Sequence, residues 1–282
     1  MTEAEVVFTQ LLECNRQELY ARRNMRLGKD TSLAVAGMFK RRITGEPLEY
    51  ILGETEFMGF MLKVTPDVLI PRQETEILVE TVLRLVSSVS VSKCQAPHSG
   101  VPLDPIFVRE CSGVKILDVG TGSGCIAVSL AKFLPDAQIT ALDISEEALN
   151  VARANARLHK VKINFLQSDL FSHDALRTTQ FDVIISNPPY IPTGDIASLQ
   201  REIHYEPRIA LDAGKDGLDF FRCLINQSSD SLISSGFLVM ELGFGQKEAV
   251  KNLIQKSGNF EIIDTIKDYG GIERVMVCRK YG

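Results

Sequence analysis

No run of about 18 or more apolar residues occurs in the 282-residue chain, so no membrane span is expected. The opening MTEAEVVFTQ places acids where a basic n-region would stand, and so does not read as a secretory signal. There is no C-x-x-C pair. The six cysteines (Cys14, Cys94, Cys111, Cys125, Cys223 and Cys278) are scattered, which argues against a disulfide framework and against a zinc site. Reduced thiols in a cytoplasm fit that spacing better. A basic excess is lacking too: Lys plus Arg is 31 against 36 Asp plus Glu, a net charge of -5. A surface that tracks nucleic acid throughout is therefore not expected. Neither an internal repeat nor a Gly-Lys-Ser/Thr phosphate loop is present.

What is there reads as two regions. Residues 3 to 44 show helical spacing through Val6, Val7, Leu11, Leu12 and Leu19, with Ala34, Met38 and Phe39 continuing it. Gly28 followed by Asp30-Thr31-Ser32 supplies a stop and then an N-cap. Arg22, Arg23 and Arg26 cluster, as do Lys40, Arg41 and Arg42; these read as solvated helix faces or as contacts to an acidic or RNA-bearing partner. Residues 55 to 70 read as extended with a turn at Gly59, and residues 74 to 86 as helix. The Ser- and Pro-rich stretch from Ser87 to Ser112 reads as a linker or loop. We place a small N-terminal helical domain with a β-hairpin linker at 1–72 and a catalytic domain at 73–282. From Val114 onward strands alternate with helices, and the strands number seven: 114–119, 138–143, 161–167, 182–186, 236–242, 260–264 and 274–278. That alternation predicts an α/β fold, a mostly parallel sheet covered on both faces.

Leu117-Asp118-Val119-Gly120-Thr121-Gly122-Ser123-Gly124 follows a strand and opens a helix. Glycines there let the backbone turn sharply and approach a ligand. Ligands of open α/β sheets bind at the carboxyl ends of the strands, where this loop lies. A dinucleotide fingerprint needs a third glycine where this chain has Cys125, which reads as a small buried hydrophobe at a helix start. Asp143 ends the next strand, where a carboxylate can accept both hydroxyls of a ribose. Ser145 is better placed than Asp143 to cap the helix that follows.

The sharpest signal is Asn187-Pro188-Pro189-Tyr190 after the strand Asp182–Ser186. Two prolines fix φ and remove two donors, so the carbonyls are free to face a cleft as acceptors. The Asn187 side-chain carbonyl adds an acceptor, and Tyr190 an aromatic face. Such a set suits a planar NH2 group. Hydrogen bonds to Asn187 and to the Pro188 carbonyl would hold that group with its lone pair toward a methyl donor. A rigid Pro-Pro turn at a strand end is the plain structural alternative.

These segments together resemble the bacterial peptide chain release factor glutamine N5-methyltransferases. The glycine loop is similar to motif I of class I S-adenosylmethionine methyltransferases. Leu69-Ile70-Pro71-Arg72-Gln73-Glu74-Thr75-Glu76 resembles the family's I-P-R-x-[DE]-T-E block, and Gly45 to Gly53 its G-x-P-x-x-Y-I-x-G stretch. Glu206-Pro207-Arg208-Ile209-Ala210-Leu211 resembles E-P-x-x-A-L, and the segments at Gly214–Leu218 and Asp268–Val275 resemble later blocks. The resemblance runs from Gly45 to the end, with Ser87–Ser112 longer than expected. It implies a class I, Rossmann-like fold with S-adenosylmethionine as cofactor, held by Gly120, Thr121, Gly122, Ser123, Gly124, Asp143, Leu170 and Asn187. Leu170 would pack on the adenine, with Asp169 near its exocyclic amine. Asn187, Pro188, Pro189 and Tyr190 would carry the catalytic role. The substrate would be the glutamine of a Gly-Gly-Gln loop in a release factor, gripped by the N-terminal helices. A cytoplasmic monomer without stable nucleic-acid binding is expected. Arg72 reads as a domain-junction residue pairing Glu74 or Glu76, or as a cofactor-side residue. Glu206 could orient Asn187 or brace its loop, and stays outside the catalytic set.

The competing reading is a methyltransferase for exocyclic amines of adenine or guanine, which would flip the base and stack it on Tyr190. A regulatory scaffold could dispense with Asn187, yet the tetrapeptide is intact. NAD-dependent redox chemistry is disfavoured by Cys125.

Overall fold

The computed structural model describes residues 2–93 and 113–282. The N-terminal helices start where side chains satisfy free backbone donors. A reciprocal Thr2/Glu5 capping box opens α1 (Glu3–Leu11), and an Asn15/Glu18 box opens α2 (Arg16–Ala21). The third helix, α3 (Lys29–Ile43), begins at Gly28 with no side-chain cap. Asp30-Thr31-Ser32 thus lies inside its first turn rather than before it. A short α4 (Leu48–Leu52) stops at Gly53, whose φ of 79° ends it in the left-handed region. The hairpin β1 (Glu54–Phe57) and β2 (Phe60–Lys63) turns at Met58 and Gly59, with φ of 52° and 77°. Positive φ at both central residues is the two-residue turn whose twist matches the strands.

The helix that follows, α5 (Glu74–Lys93), is longer than the spacing predicts. It does not stop at Val86. Serine and valine are weak helix formers, but Val82 and Val86 are buried at helical spacing, and the Ser87 hydroxyl bonds the Leu83 carbonyl at 2.8 Å. The remainder of the expected Ser87–Ser112 linker, residues 94 to 112, lies outside the described residues.

The alternation then builds a seven-stranded sheet: β3 (Lys115–Val119), β4 (Gln138–Asp143), β5 (Asn164–Gln167), β6 (Phe181–Ser186), β7 (Leu232–Glu241), β8 (Phe260–Lys267) and β9 (Glu273–Lys280), in the order β5-β4-β3-β6-β7-β9-β8. Only β9 runs antiparallel to its neighbours. Between the strands lie α6 (Cys125–Phe133), α7 (Glu146–Leu158), α8 (Asp174–Arg177), α9 (Asp219–Ser231) and α10 (Lys247–Ser257). Several boundaries differ from the sequence reading: β8 runs on to Lys267 and β9 to Lys280. The α7 end is closed by Lys160 in the left-handed region, so β5 starts at Asn164 rather than Val161. The fifth strand of the sequence reading, 236–242, is the end of a longer β7 that begins at Leu232.

Strand alternation sorts the core into two layers. Ile116, Val183 and Ile185 face α5 and α6, while Leu117, Ile184 and Leu238 face α9 and α10. Because β4 and β5 leave the centre one way and β6 and β7 the other, the ends of β3 and β6 flank the crevice where ligands bind in such sheets. Among the described residues, no helix is long and apolar enough to cross a membrane.

Asn155 of α7 fixes the hairpin onto this scaffold. Its Oδ1 accepts from the Lys63 N–H at 2.7 Å, and its Nδ2 donates to the Lys63 and Ser123 carbonyls at 2.9 and 2.8 Å. The residue is fully buried. Asn155→Ala leaves three backbone groups without a partner, and we expect a loss of about 2 kcal/mol or more, read from the shift in a urea unfolding midpoint. A midpoint unchanged from wild type would show that the hairpin does not depend on this carboxamide.

Candidate active site

At the carboxyl ends of β3, β4 and β6 lies a cavity of about 420 Å³, lined in part by Gly120, Gly122, Asp143, Leu170, Asn187 and Pro189. That size is within the ordinary range for a small-molecule site. The glycine loop is anchored at its base, where the Gly120 and Thr121 N–H groups both donate to the Leu142 carbonyl at 2.9 Å. The three glycines have different duties. All have positive φ, but a Cβ on Gly120 or Gly122 would meet nothing within 4 Å, so both leave open space on the cavity side. A Cβ on Gly124 would stand 2.9 Å from the Ala152 Cβ, so Gly124 serves the close packing of α6 on α7. Thr121 and Ser123 are buried behind the wall, with the Thr121 hydroxyl donating to Asp118 at 2.6 Å. Cys125 is buried, as the sequence suggested.

Asp143 is held in place by two backbone donors. Its Oδ2 accepts from Gly122 at 2.8 Å and its Oδ1 from Ser145 at 3.0 Å. Each oxygen keeps a lone pair for a further donor. Ser145 caps α7 through the Ala148 N–H, so the capping role does not fall on Asp143. Leu170 is in the left-handed region with φ of 49°. The buried Ser168 hydroxyl donates to its carbonyl at 2.7 Å and so supports that strained backbone. Asp169 lies beside Leu170 on the same wall. These features fit an adenosine-bearing cofactor: an open glycine cradle, an oriented carboxylate with acceptor capacity left, and an apolar residue beyond it.

The tetrapeptide continues from β6, whose Ser186 hydroxyl donates to the Val119 carbonyl at 2.7 Å and ties it to the glycine loop. Asn187 is half-buried and Pro188 buried. The Asn187 Nδ2 donates to the Thr75 hydroxyl at 2.9 Å, and that hydroxyl donates to Glu241 at 2.7 Å. Asn187 Oδ1 and the Pro188 carbonyl receive no donor among the described residues. Pro188 and Tyr190 are not on the cavity wall. Tyr190 packs beside Gly243, where a Cβ would meet its ring at 2.9 Å, and its carbonyl accepts from Gln246 at 2.8 Å. Burial pushes its hydroxyl up to about 12.

Sequence reasoning missed several of these partners. Thr75 stands inside a quoted motif, yet nothing local indicates that it reaches Glu241, 166 positions away. Arg72 pairs with neither Glu74 nor Glu76: it meets the buried carboxylate of Glu206 at 2.5 Å. Glu76 instead accepts from the Met58 N–H at 2.6 Å and pins the hairpin turn. Glu206 braces the loop that carries Pro207 to the cavity. Of the two basic clusters, Arg41 and Arg42 are engaged internally, with Glu46 and with Glu3 and Glu202.

The fold defines a class I methyltransferase. The family model described as Methyltransferase small domain matches residues 106–256, and the PrmC N-terminal domain matches residues 1–53. A release factor glutamine methyltransferase of Geobacter sulfurreducens is 40% identical over 275 residues, covering 97% of this chain and 87% of that protein. Its counterpart in Moorella thermoacetica is 40% identical over 282 residues, covering 98% and 90%. The T. thermophilus 16S rRNA N2 G1207 methyltransferase, solved with AdoMet and guanosine, superposes with a TM-score of 0.52 at 16% identity over 81% of this chain and 50% of that one, a likeness of fold. The chain belongs to the release factor glutamine methyltransferase family.

Buried carboxylates give the site a pH signature. Desolvation pushes both Asp118 and Glu241 up to about 7. In the unfolded chain such groups ionise near roughly 4. Between those values unfolding releases protons, so the stability contribution is full below about 4 and is lost as pH rises toward 7. We expect the free enzyme's unfolding free energy to fall from pH 5 to pH 7, and the slope to flatten in Asp118→Asn. Denaturant titrations across that range check it; stability that climbs with pH there would contradict the assignment.

Proposed function

We propose that this chain transfers the methyl group of S-adenosylmethionine to the side-chain amide nitrogen of the glutamine in the Gly-Gly-Gln loop of peptide chain release factors. The relatives named above support the substrate, and Asn187, on the cavity wall with an Oδ1 that meets no donor among the described residues, is the observation that carries the chemistry. Gly120, Gly122, Asp143 and Leu170 would hold the cofactor. Thr121, Ser123 and Gly124 shape the loop from behind. When bound, it supplies an electrophilic methyl on a cationic sulfonium.

The protein's part is orientation. An amide nitrogen is a poor nucleophile because its lone pair is delocalised into the carbonyl. Asn187 Oδ1 and the Pro188 carbonyl accept its two N–H groups and set its plane, favouring pyramidalisation with the lone pair toward the methyl. Once methylated, the amide nitrogen would be acidic and would lose its extra proton to solvent. No strong base is needed before attack. Fixing such geometry is worth up to roughly 7 to 11 kcal/mol in favourable cases. Pro189 and Tyr190 hold the turn rigid. The N-terminal region, residues 1–72, engages the release factor, and residues 73–282 carry out the transfer. A cytoplasmic location follows from this reading, since the substrate is a translation factor.

The test is incubation with radiolabelled S-adenosylmethionine and a purified release factor. We expect label on the intact factor, none on a factor with its loop Gln replaced by Ala, and a loss of about 100-fold or more in kcat for Asn187→Ala. Label on ribosomal RNA or duplex DNA, with none on the factor, would replace this reading with base methylation.

A further inference from the structure

An asparagine side chain is nearly symmetric in shape but not in hydrogen bonding: one end accepts and the other donates. A cleft built to receive NH2 works only if the carbonyl end faces it. Two rotamers a half-turn apart would fill almost the same space, so something other than shape must select between them.

Thr75 and Glu241 are placed to do so. Thr75 lies in the first turn of α5 and Glu241 at the end of β7, and each is 1% exposed. The Thr75 hydroxyl carries a single hydrogen. An ionised carboxylate only accepts, so beside Glu241 that hydrogen is committed to Oε2, at 2.7 Å. The hydroxyl oxygen then has only lone pairs left for Asn187. Its partner must be the NH2 end, and the geometry agrees at 2.9 Å. We propose that Thr75 and Glu241 are positioning residues that set the polarity of Asn187, turning its carbonyl rather than its NH2 toward the acceptor amide. The inference rests on the methyltransfer reading above.

The groups facing Glu241 are Arg274 of β9, Arg72 and Glu74 at the start of α5, Tyr190 after β6 and Cys125 of α6. Arg274 is occupied with Asp268 at 3.0 Å and the Leu242 carbonyl at 3.4 Å. No cation bonds the carboxylate directly among the described residues. Its committed donor is Thr75. Once Glu241 is protonated, it can donate as well as accept, and the direction of the chain is no longer imposed. With the group pushed up to about 7, ionisation falls in a range that kinetics can scan.

Steady-state methylation of a release factor tests this with Thr75→Ser, Thr75→Val, Glu241→Gln, Asn187→Ala and the Asn187→Ala/Thr75→Val double variant. Thr75→Ser keeps the hydroxyl and should retain kcat within about 3-fold, whereas Thr75→Val should lose about 10- to 100-fold in kcat with KM for the factor within about 2-fold. In the Asn187→Ala background Thr75→Val should add nothing, because its target is gone. Equal losses from Thr75→Val in both backgrounds, or none in either, would overturn the proposal. Should Thr75→Val not fold, as judged by its thermal midpoint, Glu241→Gln decides: the wild-type kcat should rise with pH through about 7 and that rise should vanish in the variant. Matching profiles would count against the relay. A wild type that labels no release factor sinks the functional reading itself, whereas an active wild type indifferent to Thr75→Val sinks only this inference.

Discussion

Asn155 has none of its surface exposed, and its carboxamide bonds three backbone groups drawn from β2 and from the glycine loop. Both Lys63 groups are matched as a neighbouring strand would match them, so a helix side chain closes the open edge of the hairpin. The Ser123 carbonyl is bonded by the same amide nitrogen that bonds Lys63. The hairpin therefore cannot shift without disturbing the loop that forms one wall of the cavity. Met58 and Gly59 turn the hairpin back, and Glu76 holds the Met58 N–H from α5. Position is thereby passed from α7 through the hairpin to α5, whose first turn carries Thr75.

The second constraint is the buried negative charge. Asp118, Asp143, Glu206 and Glu241 all lie near the carboxyl edge of the sheet, and desolvation raises the pKa of every one. Arg72 bonds one oxygen of Glu206; the other oxygen is buried without a partner, as is Asp118 Oδ1. Carboxylates in such settings destabilise a fold unless something cationic or donating meets them. Of the four, Asp143 lines the cavity, and its two oxygens suit the ribose hydroxyls of the proposed cofactor. The others, shut away behind the wall, lower stability in the free enzyme above neutral pH.

The fold was largely legible because its signals are local. Strand runs such as Lys115–Val119 are short and apolar, the glycines punctuate a strand-to-helix turn, and the two prolines mark where β6 must end. Boundaries were less so: Gly28 replaced Asp30-Thr31-Ser32 as the cap of α3, and α5 ran on past Ser87. In the site, residues that meet the cavity through backbone conformation, Gly120 and Gly122, could be named from the motif alone. Partners that meet across the chain could not. Arg72 and Glu206 are 134 positions apart, and Thr75 and Glu241 are separated by 166. A motif contains Thr75; only the packing of α5 against β7 shows what it touches.

Hydrogen-bond direction links these levels. Pro188 and Pro189 remove two N–H donors from the segment that meets the acceptor, so at those two residues the backbone offers carbonyls alone. Asn187 is the side chain of the segment that lies on the cavity wall and could present either sign. An incoming NH2 group would meet a donor, and be repelled, whenever Asn187 presented its own NH2. The neutral amide is too weak a nucleophile to tolerate lost orientation, because nothing else in the cleft activates it before attack. Proline removes the unwanted donors covalently, while for asparagine the same end must be reached by buried side chains that leave it one choice.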